Sequence, residues 1–267
     1  MRRLLAALAC LSAAFLLVPQ PAFAHPEDEF CTPGGGMDPA LCQELARLDN
    51  AKADPSERTT GTGLEDTVNL DRSAFETAVF YVSIGFQHIL PKGLDHILFV
   101  LALFLASTRL KPLLLQISAF TVAHTVTLGL TAAGFIAPPA SIVEPLIALT
   151  IAWAALENIL FKEMQAWRPL LAFGFGLVHG MGFAGAFGDL GLPQAIFWPA
   201  LIGFNVGVEV GQLTVIGMAF AVSLLVRMLL ARAGRSNQYR HVLVWPVSAL
   251  IGAAGFWWAI ERAFLQG

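Results

Sequence analysis

The stretch HILPKGLDHILFVLALFLAS, residues 88–107, sets two histidines and an aspartate against a run with no polar side chain from Ile97 to Ala106. A run of that length is too short to cross a bilayer, which needs about 20 residues of helix. A second apolar run, 75–90, precedes it across a Pro-Lys-Gly break. The pair is therefore either two spans or one span with an interfacial or re-entrant helix leading into it. The rest of the chain decides between them. Of 267 residues, 56% are hydrophobic and 13% charged, against about 25% charged in soluble domains. Further apolar runs follow at 113–136, 141–161, 169–187, 195–230 and 242–263, each long enough to span alone.

Lys and Arg collect in the cytoplasmic loops of membrane proteins. Here Arg109 and Lys111 mark one loop, Lys162 and Arg168 a second, and Arg227, Arg232, Arg235 and Arg240 a third. The loops between them, APPAS and GDLGLP, carry none. This alternation holds if the chain crosses only once before Arg109, starting outside. The expectation is an all-α, polytopic helix bundle of about six spans with 75–90 as the interfacial or re-entrant helix. Residues 88–96 then lie at the outer face, and the protein sits in a bacterial inner membrane with its mature N-terminus outside.

Residues 1–24, MRRLLAALACLSAAFLLVPQPAFA, begin with two arginines, continue in a short apolar core and end in Ala-Phe-Ala. This is the pattern of a signal peptide cut after Ala24. Export gives Cys31 and Cys42, which flank a Gly- and Pro-bearing loop, the expectation of a disulfide. Residues 25–74 carry eleven Asp or Glu against four Lys or Arg and no long apolar face. They read as a small, acidic, partly disordered extracytoplasmic segment that could meet a periplasmic partner, followed by a transmembrane helical domain over 75–267. Net charge is −3 with basic residues scattered singly, so no surface tracks a phosphate backbone and nucleic acid is excluded as a partner. With no P-loop or dinucleotide fingerprint, no organic cofactor is expected.

Ionisable groups inside spans cost several kcal/mol and mark sites or pathways. His124 is central in FTVAHTVTLGL, His179 in FGFGLVHGMGFAGAFG, and Glu209 in GFNVGVEVGQL; Glu144 lies near the outer end of its run and Glu157 near the inner end. Asn205, Glu209 and Gln212 are spaced 4 and 3 apart and so share one helical face. Gly203, Gly207 and Gly211 repeat at four-residue intervals and allow a neighbouring backbone to approach closely. A carboxylate in such a seam needs a partner or a proton, and His124 and His179 lie at similar depth. Thr121 and Thr125 could orient His124 through its second ring nitrogen. Imidazole with carboxylate is a ligand set for a divalent first-row ion.

Five motifs in order, HILPKGLDHILFVLALFL, FTVAHTVTLGL, VEPLIALTIAWAALEN, FGLVHGMGFA and FNVGVEVGQL, resemble the HupE/UreJ family of small bacterial membrane proteins, in its UreJ-like branch with an exported N-terminus. The resemblance implies nickel uptake, with His88, Asp95 and His96 as ion ligands. Six residues separate His88 from Asp95 where the permease pattern has five, and FGLVHGMG lacks the earlier His and later Glu of the second permease signature. The metal therefore stays open among nickel, cobalt and zinc.

Taken together, the sequence predicts a permease for a divalent transition metal. His88, Asp95 and His96 capture the ion, and His124, His179 and Glu209 form a deeper site, with Glu144, Asn205, Gln212, Thr121 and Thr125 supporting it. Binding by neutral imidazole predicts uptake that falls as pH drops through the histidine range. Two other readings use the same residues: an intramembrane hydrolase with zinc on His124, His179 and Asp95 and Glu209 activating water, or a non-transporting metalloenzyme assembly factor.

Overall fold

A computed structural model describes residues 73–107, 109–182 and 194–265. The signal peptide, the acidic segment and the Cys31–Cys42 pair lie outside the described residues. Among the described residues there are seven α-helices and no strand: α1 Ala74–Ile89, α2 Leu94–Ala106, α3 Leu110–Ala132, α4 Ala140–Leu160, α5 Arg168–Gly182, α6 Gln194–Arg232 and α7 Trp245–Phe264. A 3₁₀ turn, Ser236–Gln238, and a π-helical turn, Arg240–Val244, lead into α7. This is a helical membrane bundle. Helices α3, α4, α6 and α7 with its leading turns are long and apolar enough to cross alone, and α1 with α2 passes only as a pair bent by 72°. That gives four spans, or five with the bent pair, where the sequence predicted about six. The difference lies in α5, of which 15 residues are described.

Helix α1 begins at a capping box: Ser73 Oγ accepts from the Glu76 amide at 3.3 Å, and Glu76 Oε2 accepts from the Ser73 amide at 2.8 Å. It ends at the Pro-Lys-Gly break, where Gly93 N donates to Ile89 O at 3.1 Å. A Cβ on Gly93 would strike the His88 carbonyl. Glycine thus permits the tight turn that bends the chain by 72° between α1 and α2.

Three helix pairs are joined through small residues, which let backbones approach to contact. Along α1 and α6, Ala78 meets Gly203, Gly85 and Phe86 meet Gly207, and Ile89 meets Gly211, so the two run in the same direction. Along α3 and α5, Gly176 meets Phe120 and Ala123 while Gly180 meets His124 and Thr127, again in parallel. Helices α4 and α7 run antiparallel, with Gly255 against Ala148 and Ala152 and Ser248 near Asn158. These directions are the ones an alternating chain requires when α1 and α2 together make one crossing before α3.

Helix α2 sits at the centre. It is apolar nearly all round, and such a helix belongs in an interior. Phe99, Val100 and Ala102–Leu105 are buried. Phe99 packs on Phe120 of α3 and Phe175 of α5, Phe104 packs on Phe220 of α6, and Ala102 O accepts from Asn158 Nδ2 of α4 at 2.8 Å.

The end of the bundle where α4 stops is tied by a buried polar network. Arg168 donates to Asn158 Oδ1 at 2.9 Å and stands 3.5 Å from Glu157 Oε2, and Trp167 Nε1 donates to Glu157 Oε1 at 3.0 Å. Arg240 caps the open end of α4 by donating to the Asn158, Phe161 and Lys162 carbonyls at 2.8–2.9 Å, groups that have no partner within a helix. Glu157 is thus a structural anchor. Asn158→Ala removes bonds to α2, α7 and Arg168 at once. It is expected to cost about 2 kcal/mol, read as a lower thermal unfolding midpoint in detergent with metal binding retained.

Candidate metal centre

The bend between α1 and α2 brings together histidines that the sequence separates. His88 lies in the last turn of α1, His96 in the first turn of α2, and His124 midway along α3; all are buried. One ring nitrogen from each can be chosen so that all three lie within 4.8 Å of one another. His96 is the hub: its ring centroid is 4.8 Å from that of His88, 5.7 Å from His124 and 5.1 Å from His179. Phe99, Phe120 and Phe204, all almost fully buried, wall the group by ring contacts to His179, His124 and His88 respectively.

Buried polar atoms are nearly always hydrogen-bonded, yet His96 Nε2 and both ring nitrogens of His124 make no hydrogen bond. His179 is half satisfied, with Nε2 2.8 Å from Thr150 Oγ1. The Thr150 hydroxyl donates to Ile147 O at 2.6 Å, so its oxygen accepts from the ring. Nε2 therefore carries the proton, and Nδ1 keeps a lone pair with no hydrogen-bond partner. This is how a neighbouring group fixes the tautomer of a ligating imidazole. Thr150 was not anticipated from sequence, where it sits in an unremarked apolar run.

The carboxylates go elsewhere. Asp95 is held by both terminal guanidinium nitrogens of Arg262, at 2.8 and 3.1 Å, and Arg262 also donates to the Glu144 backbone carbonyl at 3.4 Å. Asp95 and His96 are adjacent on a helix and so point about 100° apart, which turns one toward α7 and the other into the bundle. Glu209 reaches neither His124 nor His179 by a hydrogen bond; its Oε2 accepts from Thr121 Oγ1 at 2.8 Å. Gln212 Oε1 lies 3.1 Å from that hydroxyl, and Thr125 Oγ1 is 2.7 Å from Asn205 Oδ1. The threonines thus bond across to α6 instead of orienting His124, because their short hydroxyls meet the Asn205–Glu209–Gln212 face first. The cluster of donors close enough to share an ion, among the described residues, is made of histidines alone.

Arg262 was also missed. Its signal was present: it is a lone cation in the last apolar run, on the side that the loop charges assign to the outside. A misplaced arginine needs a carboxylate, and Asp95 supplies it.

A family profile described as HupE / UreJ protein matches residues 64–262. The chain belongs to the HupE/UreJ family. The match covers every helix from α1 to the last turn of α7 and includes His88, His96, His124 and His179, and it makes this a membrane protein of a family related to nickel and cobalt transport. No curated protein and no solved structure is found to match.

Proposed function

We propose that this HupE/UreJ protein is a permease for a divalent transition metal, nickel or cobalt first and zinc next, and that His88, His96 and His124 bind the ion in transit. One observation supports the reading: three buried imidazoles from three helices offer nitrogens within 4.8 Å of one another, and His96 Nε2 and both nitrogens of His124 make no hydrogen bond. Neutral imidazole suits nickel, cobalt and zinc and disfavours magnesium or calcium. Three ligands leave coordination positions open, which an ion in transit needs for entering and leaving. His179 stands beside His96 as a fourth donor. Asp95 and Arg262 form a closed ion pair next to the cluster, on the side from which the loop charges have the ion enter from the periplasm.

The hydrolase arrangement asks Asp95 to hold zinc and Glu209 to activate water, but Arg262 occupies the first and Thr121 binds the second. The permease is the better account. Cells overproducing the protein should accumulate more nickel or cobalt than cells producing a His96→Ala, His124→Ala double variant at equal membrane abundance. Equal contents of nickel, cobalt and zinc in the two strains would overturn the proposal. A variant lacking residues 25–74 should keep measurable uptake, whereas an assembly factor that uses this segment to dock a partner would lose all effect.

A further inference from the structure

The seam between α3 and α6 contains more oxygen acceptors than hydrogens to share among them. The Thr121 hydroxyl has one hydrogen but lies 2.8 Å from Glu209 Oε2 and 3.1 Å from Gln212 Oε1. The Thr125 hydroxyl likewise lies 2.7 Å from both Thr121 O and Asn205 Oδ1. The Asn205 amide cannot be turned to help, because its nitrogen donates to Leu201 O at 2.8 Å. Gln212 could be turned, but it is fully buried and its nitrogen has no partner. Turning it would give Thr121 a donor and leave the amide oxygen stranded instead. Each unpaired buried group of this kind costs about 1–3 kcal/mol.

One added positive charge resolves the contest over the Thr121 hydrogen. A proton on Glu209 Oε2 would be donated to Thr121 Oγ1, freeing the threonine hydrogen for Gln212 Oε1. An alkali ion would instead be held by Thr121 Oγ1, Glu209 Oε2 and Gln212 Oε1 together. We propose that Thr121, Glu209 and Gln212 form an all-oxygen site for one monovalent cation, a proton or an alkali-metal ion, separate from the histidine cluster. Hard oxygen donors suit hard cations, while imidazoles suit first-row transition metals, so the two sites differ in the ions they favour. Glu209 is partly exposed while Gln212 is buried. Among the described residues, ionisable groups on the helices packed against α6 include His88, Asp95, His96 and His124, and Asp95 is paired with Arg262. Only the role as a driving ion for metal uptake rests on the permease reading; the site itself does not.

The test uses the full chain in lipid nanodiscs without transition metal. Infrared spectroscopy reads a protonated carboxylic acid by its C=O stretch, and ²²Na⁺ binding reads an alkali ion. Either a carboxylic-acid band lost in Glu209→Gln, or saturable 1:1 ²²Na⁺ binding lost in the same variant, is the expected result. Thr121→Val keeps the carboxyl group and serves if Glu209→Gln does not fold. It should shift the band, or weaken ²²Na⁺ binding by about tenfold or more, the loss of one charge-assisted bond. Wild-type protein showing neither signal would overturn the proposal, as would a signal unchanged in both variants. Because neither readout involves nickel or cobalt, failure here is distinct from failure of the permease reading.

Discussion

Replacing His96 by alanine is expected to abolish high-affinity binding of Ni²⁺ or Co²⁺, lowering the affinity of the purified protein by at least about a hundredfold. Changes to groups that merely orient a ligand cost 10–100-fold in affinity, and His96 is placed to be a ligand itself. Its ring also contacts those of His88, His124 and His179. His88→Ala and His124→Ala each remove one of the three clustered donors and should approach the same loss. His179→Ala should cost less, because its Nε2 is engaged by Thr150 and it lies outside the three-nitrogen group. Isothermal titration in detergent gives the ranking, and the electronic spectrum of bound Co²⁺ gives its nitrogen coordination. If His96→Ala binds as tightly as wild type while His179→Ala does not, the cluster has been assigned to the wrong rings.

The bundle was legible because membrane spans write themselves as long apolar runs, and because loop charges record direction. The loops around Arg109, Lys162 and Arg235 implied a single crossing before α3, and the parallel register of α1 on α6 gives the same direction. The glycines at 203, 207 and 211 marked a close seam correctly, but sequence could not say that α1 fills it. Helix α5 is described over Arg168–Gly182, and the remainder of the run 169–187 lies outside the described residues. Within the site, intramembrane His residues stood out by their cost, yet carboxylates drew the same attention for the same reason. What separated the two classes was a contact across 167 residues, Arg262 with Asp95, and one across 88, Glu209 with Thr121. Pairings that distant leave no local pattern. The bend at Pro91–Gly93 was visible as a break, but only its tightness, set by Gly93 against the His88 carbonyl, decides that His88 and His96 face one another.

Gly207→Ala should damage the metal site without removing any donor. A Cβ at this position would meet the Val82 carbonyl and lie 2.7 Å from Phe86 N and 2.9 Å from Gly85 Cα. All are backbone atoms, so no side chain can rotate away. Ordinary contact between carbon atoms is about 3.5–4.0 Å, so α1 must move off α6 by about 1 Å. His88 rides on the last turn of α1, three residues before the Pro-Lys-Gly break, and moves with it. Metal–ligand distances tolerate only about 0.2 Å, so the displacement should cost about 10–100-fold in affinity, alongside about 1–3 kcal/mol of stability from overpacking. Gly217→Ala, ten residues along the same helix with nothing within 4 Å of its added Cβ, separates this from a general effect of alanine in α6. It should leave binding unchanged. A Gly207→Ala protein that is destabilised but binds Co²⁺ normally would mean that His88 is held by α2 and its tight turn rather than by the α1–α6 seam. The glycine repeat would then serve packing alone.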